Sequence, residues 1–454
     1  MKPRSTIAPC LALAAGFATA GPDLICSEID GATSFGVVDK VAAYSFGTTL
    51  CNIGDEPVSY AQNTNQHPLI AQSIYKLKDH RIEQIGIGFV RHPTIPLPGN
   101  ACGLGCTPGA IDELGPGCSD VNSSTTNGGQ AMMGPRTEVE AYFGDYPYPF
   151  TSINQTGDAI YKRVQVELAD VSDPDALYFV ETQLIVPDET MPEERNNNVS
   201  YRQVTFTPGS ATAAMVGPTY DRQPAIFAWR DHGNGIGVPD AEVLIDEIEM
   251  PRGGLIHVGS RVTEDPDNFT YRYEYAIHNQ NSSRQIAWFE HSAGDAETEE
   301  FTFDAPAYHD DLDEQIDGQA WAVELSVCAS VLYRQAVGFH DDPNANTIRW
   351  GTTYGFGFTN RNEPYIGTAE TMRIGYGGPT DGGEPNIVFA QAHMPLPGEF
   401  FCWADLNEDG QLNFFDLSAF IQRYNAGGDY NNDGETNFFD LSAFLTDFNA
   451  GCCF

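Results

Sequence analysis

Residues Ala404–Gly427 read ADLNEDGQLNFFDLSAFIQRYNAG, and Gly428–Gly451 read GDYNNDGETNFFDLSAFLTDFNAG. The second stretch repeats the first with a period of 24 residues, and each opens with the pattern D-x-N-x-D-G-x-x-N-x-x-D. Oxygen-bearing side chains at alternate positions of a short loop are what a hard cation such as calcium needs to collect its ligands. In the first copy the expected ligands are Asp405, Asn407, Asp409, the backbone carbonyl of Gln411, Asn413 through a water, and Asp416. In the second they are Asp429, Asn431, Asp433, the carbonyl of Glu435, Asn437 and Asp440. Gly410 and Gly434 stand at position six, where the loop turns sharply and only glycine is relaxed. Each loop gathers three carboxylates that repel one another without a cation, so folding is expected to be linked to the binding of two Ca2+ ions.

Each loop runs straight into an apolar helix. Phe414, Leu417, Phe420, Ile421 and Tyr424 fall on one helical arc, as do Phe438, Leu441, Phe444, Leu445 and Phe448. No helical pattern precedes either loop, so the units read as half EF-hands. One alone cannot cover its apolar arc, whereas two packed together can. Phe414 and Phe438 are expected in that core. Phe415 and Phe439 project on the polar side, beside Ser418, Ala419 and Gln422 in the first copy, and are expected to form a contact surface.

Paired loop-plus-helix units of this period, with Asp at position twelve where an EF-hand has Glu, resemble a dockerin domain. The NFFDLSAF wording and the Asn-Ala-Gly-Cys ending are similar to the GC-type dockerins of secreted planctomycete proteins. The resemblance implies that loop positions ten and eleven, here Phe414 and Phe415, then Phe438 and Phe439, face a cohesin-like or other surface protein. Cellulosomal dockerins carry small polar residues there, so this chain departs from them. Phrases of the body also resemble uncharacterised secreted proteins of the same group: Asn63–Pro68 (NTNQHP), Gly134–Arg136 (GPR), Tyr273–Arg284 (YEYAIHNQNSSR) and Ile348–Phe356 (IRWGTTYGF). That part of the resemblance brings no activity with it.

Outward from the repeats, Cys402 precedes them and Cys452 and Cys453 follow. A bridge from Cys402 to Cys452 or Cys453 would clasp the module and stabilise it by roughly 4 kcal/mol in the chain-entropy model. Cys51, Cys102, Cys106 and Cys118 are expected to staple the first part of the body. Metal binding by Cys102 and Cys106 is the poorer reading, because the spacing is C-x3-C with no His close by. Cys26 and Cys328 are unassigned. At the other end, Lys2 and Arg4, the apolar run Ile7–Phe17 and the small residues Ala18-Thr19-Ala20 have the form of a secretory signal peptide (1–20), with Gly21 as the first mature residue. Export makes disulfides the default state of cysteine. A formal net charge of −40 leaves no basic footprint for nucleic acid. No stretch beyond the leader is long and apolar enough to span a bilayer.

The body, residues 21–394, is expected to be mainly β, a sandwich or jelly-roll-like architecture in two domains (21–215 and 216–394). The segment 395–401 serves as linker and 402–454 forms the small helical module. Tyr271–Ile277 alternates with period two as a half-buried strand does. Ile74–Leu77 and Ile82–Ile85 flank a polar turn and read as a hairpin. Leu177–Val186 and Arg349–Phe358 are further strands, and Pro224–Trp229 reads as the resumption of strand after a Pro/Gly-containing divide. Glu181 and Glu274 interrupt apolar strands and are expected on the solvent face.

No G-x-S-x-G, H-E-x-x-H or phosphate loop occurs, and no catalytic residue is assigned. The acidic run Glu297–Asp317 holds nine carboxylates without ligand spacing and reads as a solvated loop. His67, His278, His291 and His309 are scattered and read as structural. The expected function is a secreted calcium-binding protein held on an extracellular or cell-surface assembly by its tail, with a non-catalytic body. A polysaccharide hydrolase or a carbohydrate-binding protein, with Tyr146 and Tyr148 as platform, is the alternative cargo.

Overall fold

The computed structural model describes residues 21–150, 156–293, 298–308, 316, 318–325, 330–334, 342, 344–367, 372–377, 386–396, 404–407, 412–431 and 434–450. Its architecture is mainly β. An 11-stranded sheet is built from residues 24–220. Its central path runs Leu24–Val38, Val41–Asn52, Val164–Glu167, Arg81–Ile87, Leu69–Lys78, Leu177–Ile185, Val199–Phe206 and Ala213–Tyr220. The expected hairpin is present, with Lys78 paired to Arg81 and Leu77 to Ile82. Its two turn residues, Asp79 and His80, have φ of 49° and 59°. Left-handed backbone at both turn positions matches the twist of the flanking strands. Asp39 and Lys40, at 47° and 78°, turn the first hairpin in the same way.

Two 5-stranded sheets follow. One orders Leu244–Glu249, Leu255–Asp265, Thr270–Asn279, Thr352–Asn360 and Thr298–Asp304; the other orders Ala322–Leu325, Ser330–Arg334, Gln285–Ser292, Met372–Gly377 and Asn386–Ala390. They share one core, in which Tyr273, Tyr275, Ile277 and Phe356 from one sheet meet Phe289, Tyr333 and Ile374 from the other. The strand predicted at Tyr271–Ile277 lies inside Thr270–Asn279, and that predicted at Arg349–Phe358 begins three residues later, at Thr352. The divide expected at 215 falls inside the Ala213–Tyr220 strand, which pairs with Val199–Phe206.

The first sheet is covered on both faces. Tyr44, Phe46, Val180, Leu184 and Val204 lie in one core, while Tyr75, Phe179 and Tyr201 lie in another with Trp229, Val243 and Ala276. Pro224–Trp229 is not a strand. Residues Phe227–His232 form a short helix, and Ala225, Ile226, Ala228 and Trp229 are all buried against the second face. A short continuous apolar run has no period that separates buried strand from buried helix.

Disulfides Cys51–Cys102 and Cys106–Cys118 staple the loops beside the first sheet. Cys26 is a buried free thiol, and burial holds it far above its ordinary titration range. Cys328, Cys402, Cys452 and Cys453 lie outside the described residues. No described helix is long and apolar enough to cross a membrane.

Candidate metal centre

The two C-terminal helices span Phe414–Asn425 and Phe438–Ala450. Each starts at the asparagine of its loop. Asn413 Oδ1 accepts from the Phe415 N–H at 2.8 Å and Asn437 Oδ1 from the Phe439 N–H at 2.7 Å, the N-cap role of that residue type. The position-twelve aspartates close the box. Asp416 Oδ2 accepts from Asn413 N–H (2.8 Å) and Asp440 Oδ2 from Asn437 N–H (2.7 Å). Their other oxygens reach back across the loop, Asp416 Oδ1 to Asn407 N–H (3.3 Å) and Asp440 Oδ1 to Tyr430 and Asn431 N–H (2.7 and 3.1 Å). Both aspartates are buried. Burial raises the Asp416 carboxyl, but the N–H groups of Asn413 and Asn407 outweigh it and leave it below the usual range. The Asn437 N–H is the main cause of the same lowering at Asp440.

Asp405 adds a further lowering influence on the Asp416 carboxyl, and Asp429 does the same for Asp440. Gly434 has φ of +90° and its N–H donates to Asp429 Oδ2 at 2.6 Å, so position six makes the turn that the ligand spacing demands. The donor set is all oxygen, and the residues present fit calcium. Asp409, Gln411 and Asp433 lie outside the described residues, which alone hold no group of three or more His, Cys, Asp or Glu able to grip a metal.

The core between the helices is small: Ala404, Phe420 and Phe444 are buried, and the two phenylalanine rings stack at 4.2 Å. Leu417, Tyr424, Leu441 and Phe448 pack around them. Phe414 and Phe438 do not join this core. They are 72% and 70% exposed, as open as Phe415 (68%) and Phe439 (66%). Packing begins one turn later, at Leu417 and Leu441, and helical side chains lean toward the N-terminus, which carries the first rings past the end of the core. Each loop–helix junction therefore presents two adjacent exposed phenylalanines.

The body gathers polar groups where the sequence suggested none. Glu181 is not on a solvent face: it is 2% exposed. Its Oε2 accepts from the Ala225 N–H (2.7 Å) and its Oε1 from the Tyr75 hydroxyl (3.3 Å), which also meets Thr353 Oγ1 (3.1 Å). His278 Nδ1 meets the same Thr353 at 2.9 Å. Burial pushes the Glu181 carboxyl up to about 7, against the lowering influence of the Ala225 N–H, Arg136 and Tyr75. Arg136 is buried nearby and donates to the carbonyls of Gly88 (2.8 Å), Gln72 (2.9 Å) and Gly351 (3.2 Å), tying the first sheet to the second. The signal for this seam was present in the strand LYFVETQLI: both parities are apolar, as in a strand buried on both faces.

Glu274 sits at the rim, where Arg272 Nε donates to it at 2.6 Å and Arg81 lies within 3.5 Å. Arg81 also holds Asp304. Both carboxylates are paired with arginine. The proposed sugar platform is also not formed: Tyr146 is buried with its hydroxyl donating to the His67 carbonyl (2.8 Å), and Tyr148 is half-buried against His92. His67, His278 and His291 are buried, and burial lowers the pKa of each; His309 lies outside the described residues.

No family model matches the chain, and no curated protein matches it. Among solved structures, the exo-β-N-acetylglucosaminidase of Vibrio harveyi aligns with 35% of the chain at 12% identity and a TM-score of 0.19. The chain spans 18% of the length of that enzyme. Its complex with N-acetylglucosamine gives the same values. A structure of manganese lipoxygenase of Gaeumannomyces graminis with partial zonadhesin of Komagataella pastoris aligns over 84% of the chain, at 6% identity and a TM-score of 0.17. Likeness at this level carries no argument about fold or activity.

Proposed function

We propose that this chain is an exported protein whose dockerin-like C-terminal module folds around two Ca2+ ions and attaches a non-catalytic β-rich body to a protein of the cell surface. The observation that carries the reading is that the buried position-twelve aspartate of each copy folds back over its own loop, Asp416 Oδ1 to the Asn407 N–H and Asp440 Oδ1 to the Tyr430 and Asn431 N–H groups, at the start of a helix that opens with two exposed phenylalanines. Calcium would be held by Asp405, Asn407, Asp409, Gln411, Asn413 and Asp416, and by the matching set from Asp429 to Asp440. A cation held there would neutralise the acidic loops and fix the start of each helix, which carries the phenylalanines. Apolar area held rigid at a helix end is the kind of anchor on which protein interfaces concentrate their energy. The two disulfides of the body support export.

The test is capture of the full-length mature chain by the envelope fraction of its source cells. Capture is expected in calcium, lost on chelation, and lost in calcium when Phe415 and Phe439 are both replaced by Ala. Capture that ignores chelation contradicts the reading.

A further inference from the structure

The proposed export has a structural consequence at the opposite end of the chain. Gly21, the residue left first by cleavage of the leader, is strapped to the 52–56 turn. Its carbonyl accepts from the Asp55 and Glu56 N–H groups (3.1 and 3.4 Å), and its own nitrogen donates to Asp55 Oδ1 at 2.7 Å. Asp23 O accepts from Ile53 N–H at 2.8 Å, and the first strand begins at Leu24. Gly54 approaches so closely that a Cβ on it would stand 2.1 Å from the Gly21 carbonyl oxygen.

Glu194 faces Gly21 from the Pro192–Asn196 turn of helix. Its Oε2 accepts from the N–H groups of Thr190 (3.1 Å) and Met191 (3.0 Å). Its Oε1 is buried without a partner and lies 3.2 Å from where a Cβ on Gly21 would be. A buried carboxylate oxygen with no donor is costly. Asp23 and Glu189 are buried close by, Asp23 bonded to the Asn197 amide (3.1 Å) and Glu189 to the Leu24 N–H (2.8 Å). Burial holds both carboxyls above their ordinary range, and the charge of Glu194 adds to each. Arg222 is close enough for its charge to lower Asp23, but neither nearby arginine donates to Glu194. Arg222 donates through Nε to Asp221 (2.9 Å), and Arg195 donates to the Glu189 carbonyl (2.8 Å) with its guanidinium over Tyr142 and Phe143.

We propose that the α-ammonium of Gly21, created by removal of the leader, is the cation of this acidic pocket, pairing with Asp55 and Glu194. Hydrolysis of the Ala20–Gly21 peptide bond by a signal peptidase consumes one water, leaves a carboxylate on Ala20 and turns the Gly21 amide into an amine, which takes up a proton. The amide has one hydrogen, already given to Asp55; the ammonium has three and a full charge. Glu194 is a positioning and stabilising residue. The leader-bearing precursor is then less stable than the mature body, so processing and folding are coupled.

The inference rests on the export reading, and the test separates the two. N-terminal sequencing of the exported protein reads the cleavage point: Gly21 is expected, and another first residue overturns the maturation step. Full chains beginning at Gly21 or carrying one extra Ala before it are then compared, each as wild type and as Glu194→Gln. The extra residue is expected to lower the Tm of the body by about 3 °C or more at pH 7 in the wild type and to have little effect in Glu194→Gln. The paired amine should titrate above its ordinary value of about 8, read by NMR after isotopic methylation of the terminus. A raised pKa means that the stabilisation is complete below about pH 8 and lost as pH rises through the raised value. Equal Tm values for the two wild-type chains, or an α-amino group titrating at its ordinary value, overturn the proposal.

Discussion

In the body, aromatic rings from two sheets interlock, with Phe289 stacked on Tyr333 and meeting Phe356 edge-on, both at 4.7 Å. Among the described residues of the C-terminal module, the fully enclosed apolar set is Ala404, Phe420 and Phe444. The body has apolar surface enough to fold by burial. A unit of about fifty residues with so small a core needs another source of order, a metal or a covalent clasp. The first kind of stability follows temperature and core volume, whereas the second, on the proposed reading, would follow free calcium.

Chelation should separate the two most sharply. With excess EDTA the module is expected to lose its helices while the unfolding transition of the body stays where it was. At free calcium about 1,000 times Kd each bound ion would contribute about 4 kcal/mol to the module. Calorimetry on the full chain with and without chelator reads both transitions, and an equal shift in both would break the distinction. Next in size, Phe444→Ala removes one ring of the stacked pair and should cost the module about 3–5 kcal/mol, as Phe289→Ala should cost the body. Calcium should offset the first loss and leave the second untouched.

The seam of the body supplies a pH test. The folded Glu181 carboxyl titrates at about 7, above its unfolded range. The folded state then binds the proton more tightly, so stability falls as pH rises from about 4.3 through 7. Glu181→Gln keeps an oxygen for the Ala225 N–H and carries no charge. It should leave stability at pH 4 nearly unchanged and raise it at pH 8 by on the order of 1–3 kcal/mol, as measured by urea unfolding. A profile identical to wild type would mean that Glu181 is already neutralised. The smallest change in stability is expected for Phe415→Ala with Phe439→Ala, within about 0.5 kcal/mol because both rings are exposed. A loss of folding would place these rings in the core and end their role as a contact surface.

Local periodicity carried part of this structure into the sequence. The hairpin around Asp79-His80 and the strands over Leu177–Ile185 and Thr270–Asn279 follow from alternation and turn chemistry, which are short-range. Asn413 and Asn437, expected from the spacing as calcium ligands, are the N-caps of the two helices, a role the loop pattern did not announce. Properties set by a distant partner were not legible. Glu181 looked solvated because the element covering it comes from Pro224–His232 and the second sheet, and the same cover turned Pro224–Trp229 into a helix approach rather than a strand. Phe414 belongs to the apolar arc by phase, but it is the first helical residue, and only the other helix decides where packing begins. The pocket around Gly21 joins residues more than 150 positions apart in chain order, Gly21 and Glu194, and no local pattern announces it.

Calcium titration of the full mature chain by calorimetry tests the central claim most directly. Two ions per chain should bind, and the variant Asp405→Ala with Asp429→Ala should bind neither, with the far-ultraviolet helical signal lost alongside. Two-ion binding that survives the double replacement, or a wild-type chain that binds no calcium, would contradict it.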